Sequence, residues 1–133
     1  MILCVGETLE QRKANRTPAL LEEQLSLGLA EVPIDSVPRI SLAYGPVWAI
    51  GQNGHHATPQ QAEDTHAILR ARFATLFGAA AAEAVTIHYG GSVEPDNAAA
   101  FLSRSGVDGA LIGGASLKAD PFLAIIRAAK ADS

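Results

Sequence analysis

Ala43-Tyr44-Gly45-Pro46-Val47-Trp48-Ala49-Ile50-Gly51, running on through Gln52-Asn53-Gly54-His55-His56-Ala57 to Thr58-Pro59, decides how the rest of the chain is read. Ile40 to Tyr44 has the apolar density of a strand, and Gly45-Pro46 ends it, since proline cannot donate to a ladder. Trp48 and Ile50 give the following loop apolar weight to dock with, while Gly51 and Gly54 permit backbone angles closed to other residues. Pro46 and Pro59 stiffen the flanks, and Thr58-Pro59-Gln60-Gln61 is a capping box with proline at the first helical position. A strand end, an anchored loop with a polar tip and a helix start form the layout of a lid that closes over a ligand.

Outward from this stretch, strands and helices alternate. Ile2 to Val5 is a short apolar run stopped at Gly6-Glu7-Thr8, and Leu21, Leu25 and Leu29 form a helical stripe at spacing four. Arg39 to Tyr44 is the second strand. Beyond the lid, Ala62, His66, Leu69, Phe73 and Leu76 mark the apolar face of a long amphipathic helix that Gly78 ends. Val85 to Tyr89 is a third strand, halted by Gly90-Gly91-Ser92; Pro95-Asp96 then starts a short helix with Phe101 and Leu102 inward. Ala110 to Ile112 is a fourth strand, stopped by Gly113-Gly114, and Asp120-Pro121 opens a last helix packed through Phe122, Ile125 and Ile126. Such alternation implies a parallel α/β sheet, because each crossover helix returns the chain to the same end. The glycine-rich turns all follow strands, so they gather at the carboxyl ends, where folds of this kind hold ligands. The pattern fits both a closed barrel and an open flavodoxin-like sheet.

Composition narrows the function. With 133 residues, 48% hydrophobic and 18% charged, the chain is expected to form one domain over residues 1–133. A net charge of −4 argues against nucleic-acid or anionic-membrane partners, which require a basic face. No apolar run reaches transmembrane length and the first residues lack a signal peptide's basic start, so a cytoplasmic protein is expected. The single cysteine, Cys4, lies in an apolar run and reads as a packed small hydrophobe.

The lid stretch, with Ile2-Leu3-Cys4-Val5-Gly6-Glu7-Thr8-Leu9-Glu10, Tyr89-Gly90-Gly91-Ser92-Val93 and Asp108-Gly109-Ala110-Leu111-Ile112-Gly113-Gly114-Ala115-Ser116-Leu117, resembles the triosephosphate isomerase family. The order matches strand-helix units five to eight of its (β/α)8 TIM barrel. The resemblance therefore implies a C-terminal half-barrel, with strands one to four and the family's histidine and lysine outside it. It also implies a phosphorylated small sugar as ancestral ligand, no cofactor, and a role in glycolysis and gluconeogenesis. On the matching positions, Gly51, Ser92, Gly113 and Gly114 correspond to the phosphate-binding loops. Trp48 and Ala57 belong to the lid, contacted by Glu7 when open and by Tyr89 when closed. A Gly-Gly pair alone reads equally as a tight turn, but glycines do let backbone N–H groups approach an anion closely.

One departure stands out. The family's chemistry, often used to illustrate how a site tunes its acid and base, moves a proton between adjacent carbons with a glutamate base. At that position this chain has Gly45, which cannot accept a proton. The expectation is an inactive relative of an isomerase that interconverts dihydroxyacetone phosphate and glyceraldehyde 3-phosphate. The Asn-Gly lid tip also resembles paralogues acting on tetrulose phosphates such as L-erythrulose 1-phosphate. A third reading is a non-catalytic phosphate-binding or self-assembling module. His55 and His56 lack a nearby acidic or cysteine partner, so no metal site is expected there. His66 reads as a packed histidine, and the pattern does not give the direction of His88.

Half a barrel leaves two sheet edges open. Ile2, Val5, Ile40, Leu42, Val85, Ile87, Leu111 and Ile112 exceed what four helices can cover on a curved sheet, so self-association, or pairing with a complementary N-terminal half, is expected. A homodimer would supply eight strands.

Overall fold

The computed structural model describes residues 1–51 and 55–131. Four strands, β1 (Ile2–Val5), β2 (Ser41–Tyr44), β3 (Thr86–Tyr89) and β4 (Gly109–Ala110), form one sheet in sequence order. All neighbouring pairs are parallel, with Leu3 opposite Leu42, Leu42 opposite Ile87, and Tyr89 opposite Ala110. The crossovers carry α1 (Leu9–Lys13) and α2 (Thr17–Gly28), then α3 (Pro59–Phe77) and α4 (Ala79–Ala84), then α5 (Ala98–Leu102); α6 (Ala119–Ala131) follows β4.

Local chemistry sets the helix boundaries. Thr8 caps α1 and Thr58 caps α3, each in a full capping box whose partners are Gln11 and Gln61. Gly78 ends α3 with φ of 94°, a conformation glycine adopts without a Cβ clash. Leu21 and Leu25 of α2, and Ala62, His66, Leu69 and Phe73 of α3, are fully buried. Leu76, read as part of that stripe, is 41% exposed because it lies in the last turn of α3, beyond the sheet's cover.

Strand parity decides what is covered. Val5, Leu42, Tyr44, Ile87 and Tyr89 are buried towards the helices, with Tyr89 stacked on Phe101 of α5 at 4.3 Å between ring centroids. Of the alternate positions on the opposite face, Ile2, Cys4, Ser41, Thr86 and His88 are exposed or half-buried, and the small Ala43 at the sheet's centre is buried. The expected surplus of uncovered apolar residues is therefore much smaller: Val5, Ile40, Leu42, Val85 and Ile87 are buried, while Ile2 and Leu111 stay exposed. Cys4, read as a packed hydrophobe, is likewise exposed, since its parity places it off the helix side.

The last unit is the least regular. β4 ends at Ala110 instead of running to Ile112, and the Asp108 carboxylate accepts from the Ile87 N–H at 2.9 Å, replacing a ladder bond with a side chain. Ile125 packs inward, yet Phe122 and Ile126 are 37% and 38% exposed along an apolar groove beside β4. At the other edge, the Gln24 amide accepts from the Gly6 N–H at 2.9 Å and donates to its carbonyl at 3.1 Å, occupying backbone groups that a further strand would otherwise meet.

Two outcomes follow for stability. Leu42→Ala should cost about 2–5 kcal/mol in urea unfolding, whereas Thr86→Ala on the opposite face should cost less than about 1. His66 is fully buried, its Nδ1 lies 3.0 Å from the Gly106 carbonyl, and burial pulls its pKa below 6.5 despite that bond. The unfolded chain then binds the extra proton first, so this contribution is complete above about pH 6.5 and is lost as the pH falls towards the folded pKa. Unfolding midpoints at pH 7.5 and pH 5 should differ less in His66→Gln than in the parent.

Candidate functional site at the carboxyl ends of the strands

The strands converge on three glycines. Gly6 lies so close to the Gly45 carbonyl that a β-carbon there would overlap it, and Gly90 packs beside Tyr44 and Gly45. Backbone bonds tie this layer together: Gly45 N–H donates to Val5 at 2.8 Å, Gly90 N–H to Tyr44 at 2.7 Å, and Val47 N–H to Glu7 at 3.0 Å. The lid base is fixed by this layer, with Pro46, Trp48 and Ala49 buried and a 3-10 turn over Val47–Ala49.

Beneath the lid sits a buried carboxylate. Glu7 Oε1 accepts from the Tyr44 hydroxyl at 2.9 Å, from Trp48 Nε1 at 3.3 Å, and from the Arg12 guanidinium at 2.8 Å. Arg12 also lies 5.1 Å from the Trp48 ring centroid, so one cation serves both the carboxylate and the indole face. Burial and the Glu7 charge push the Tyr44 phenol well up, and burial followed by Glu7 pushes Tyr89 up to about 12. Both phenols remain protonated near neutral pH and can donate but not act as bases.

Two clefts open above the glycine layer. One, of about 490 Å³, is lined by Gly51, Ser92, Gly113 and Gly114 together with Gly90, Gly91 and Glu94. All four residues matched to phosphate-binding loops thus meet in one place. Gly51 has φ of 77°, as a lid hinge requires of glycine, and Gly113 and Gly114 face open space. Ser92 differs from the expectation in detail: its N–H donates to the Ala49 carbonyl at 3.0 Å and its hydroxyl to the Gly51 carbonyl at 3.3 Å. The second cleft, of about 330 Å³, lies over Gly45 and includes Cys4, Val47 and Leu111. Its lining carries no charged side chain.

Among the other sequence candidates, Ala57 is buried and no hydrogen bond joins it to Tyr89 among the described residues. Tyr89 instead sets its hydroxyl against Gly91. Gln52, Asn53 and Gly54 lie outside the described residues, and His55 and His56 are exposed beside them. His88 lies a layer below Gly45, its ring packed over Gly109, and lines neither cleft. The Tyr44 and Arg12 contacts to Glu7 escaped the sequence reading. The available signal was the Thr8 cap, which starts α1 so that Arg12 returns above Glu7.

A one-sided parallel sheet with glycine-rich loops and a lid at its carboxyl ends defines an α/β protein of the barrel type. Comparison with known sequences narrows that class: the profile described as "Triosephosphate isomerase" matches residues 1–129. The triosephosphate isomerase of Chlorobium phaeobacteroides (strain BS1) is 51% identical over 129 residues, covering 97% of this chain and 50% of that protein. Those of Magnetococcus marinus (strain ATCC BAA-1437 / JCM 17883 / MC-1) and Treponema denticola are 53% and 47% identical, with the match covering 94% of this chain and 49% and 50% of theirs. The chain belongs to the triosephosphate isomerase family. It spans about half the length of the curated relatives it matches, and its sheet is half of a (β/α)8 barrel. Among the described residues, no helix is long and apolar enough to cross a membrane.

Glu7→Leu should cost about 2–4 kcal/mol, because three donors lose their buried acceptor. Trp48 is the only tryptophan, so its emission should shift to the red in the same variant as its N–H meets water; Glu7→Gln, which keeps one acceptor oxygen, should show smaller changes in both measurements.

Proposed function

We propose that this chain is the anion-binding half of an aldose-ketose phosphate isomerase of the triosephosphate isomerase type, unable to catalyse the reaction as written. The observation that carries this reading is the meeting of Gly51, Ser92, Gly113 and Gly114 around one cleft beside Gly45. Backbone N–H groups of Gly113 and Gly114 are the available donors for a phosphate. Ser92 joins them once the lid moves and releases its amide from Ala49. The Trp48 bond to Glu7, with Tyr89 unbonded to Ala57, supports an open lid. At position 45 no side chain can take a proton, and the phenols of Tyr44 and Tyr89, held protonated by burial and by Glu7, offer no phenolate to accept one near neutral pH.

Turnover, unlike anion binding, needs a complement. The relatives are twice as long, so a separate first half, or a second copy closing the sheet through the β1 and β4 edges, is the partner that turnover requires. Triose phosphate is the preferred parent substrate, after the relatives' name. Tetrulose phosphate rests on the lid tip at Asn53-Gly54, outside the described residues. A non-catalytic binding module is the second reading, favoured by the absence of an acceptor at Gly45.

Restoration of the base tests the first reading directly. A β-carbon at Gly45 presses on the Ile50 side-chain end at 3.3 Å and makes ordinary contact with the Gly90 carbonyl at 3.6 Å, and its φ is not in the left-handed region, so Gly45→Glu fits once the Ile50 side chain gives slightly. With the N-terminal half of a relative supplied, Gly45→Glu should turn over glyceraldehyde 3-phosphate at least about 10²–10⁴-fold faster than the parent. Equal rates would overturn the assignment of position 45, and phosphate binding with no turnover in either form would favour the module.

A further inference from the structure

The geometry points to a second binding function at the vacated base position: the cleft over Gly45 takes an uncharged apolar group attached to a phosphate held in the neighbouring cleft. The ligand class is a small phosphomonoester with a compact hydrophobic substituent. This rests on the anion-binding reading above and extends it to the half of the ligand that the isomerase reading leaves as a short polar sugar.

Three observations carry it. The two clefts are adjacent, with Ile50, Gly90 and Leu111 lining both, so a ligand reaching across these three residues would touch both. Their chemistry differs: the first presents glycine backbone, Ser92 and, at its rim, the Glu94 carboxylate beside Val93 and Ile112, whereas the second presents Ala43, Val47, Ile50 and Leu111 with no charged group. Its one polar side chain besides the Cys4 thiol, Gln24, already spends its amide on Gly6. Hydroxyl groups of a sugar would lose water there without finding partners, which disfavours them, while apolar carbon gains from leaving water. At 330 Å³ the second cleft falls at the lower end of the range for ligand sites and accommodates a six-membered ring. Gly45 is what opens it, since any longer side chain on that backbone projects towards Ile50 and into this space.

Cys4 supplies a native reporter, being exposed, in the second cleft and the chain's only cysteine. Inorganic phosphate, phenol and phenyl phosphate are titrated separately into the 133-residue chain by calorimetry, and Cys4 alkylation by iodoacetamide is timed in each. Phenyl phosphate should bind at least about tenfold more tightly than inorganic phosphate, the gain expected from burying one ring, and should alone slow alkylation. Gly45→Glu, which fills the second cleft with a carboxylate, should bring the affinity ratio towards one. Leu111→Ser, at an exposed position that threatens folding little, should lower it as well. Equal binding of phosphate and phenyl phosphate with Cys4 unprotected overturns this inference and leaves the anion cleft standing. Protection by phenol as strong as by phenyl phosphate overturns the linkage between clefts. Binding of none of the three overturns the inference and the anion-binding reading together.

Discussion

The contact on which the rest depends is between two main chains: Gly6 against the carbonyl of Gly45. No side chain fits between them, so the carboxyl ends of β1 and β2 come closer than ordinary residues allow. That approach aligns Val5 with Gly45 and Glu7 with Val47 for backbone bonds, and so determines where the lid base leaves the sheet. An alanine at position 6 would have to displace backbone, not a side-chain tip. Sheet ends that could separate would leave the glycine layer, the lid base and both clefts without a common floor.

Above that floor, the Glu7 carboxylate converts backbone position into lid position. A buried carboxylate is costly unless its oxygens are satisfied. Here Oε1 gathers a phenol, an indole and a guanidinium, while Oε2 has no hydrogen-bond partner among the described residues. The imbalance suits a lid that exchanges partners. The Trp48 bond, at 3.3 Å, is the longest of the three and is the one a moving lid can give up, leaving Tyr44 and Arg12 to hold the charge. The cation over the indole face adds an attraction that holds Trp48 in place and does not depend on the N–H bond.

Much of this was legible in the residues because local signals there are strong. Thr58-Pro59-Gln60-Gln61 and Thr8 to Gln11 form the capping boxes their spelling announces, and Gly78 ends α3 by a conformation suited to glycine. Gly51, Ser92, Gly113 and Gly114 were singled out by the family resemblance, and the alternation of strands and helices added only that glycine-rich turns after parallel strands collect at one end of the sheet. What the sequence obscured depends on direction and distance. A run such as Ile2 to Val5 does not reveal which alternate residues face the helices, so Val5 and Ile2 looked equally in need of cover. Donor bookkeeping was equally hidden: nothing in the spelling of Ser92 shows that Ala49 engages its N–H. The early end of β4 escaped because its last backbone bond runs from the Leu111 N–H to the Tyr89 carbonyl and pairing stops before Ile112, a boundary that hydrophobic pattern cannot register.

Position 45 shows how one side chain separates two functions that share a floor. The backbone there has no conformation reserved for glycine and its surroundings would admit a longer residue, so glycine is not required for the fold. Gly6 and Gly45 thus touch one another but answer to different constraints, the first to packing and the second to chemistry. Losing the carboxylate leaves Gly51, Gly113 and Gly114 where they are, because their placement comes from strand ends and turn geometry and not from the catalytic group. On the proposed function, anion binding and proton transfer would therefore be separable by a single residue in this architecture. The space released lies against Ile50, Val47 and Leu111, so what replaces a proton acceptor is apolar wall. On the reading proposed above, a site altered in this way would keep the means to hold the charged end of a ligand while its preference for the other end moved from hydroxyl-bearing carbon towards hydrocarbon.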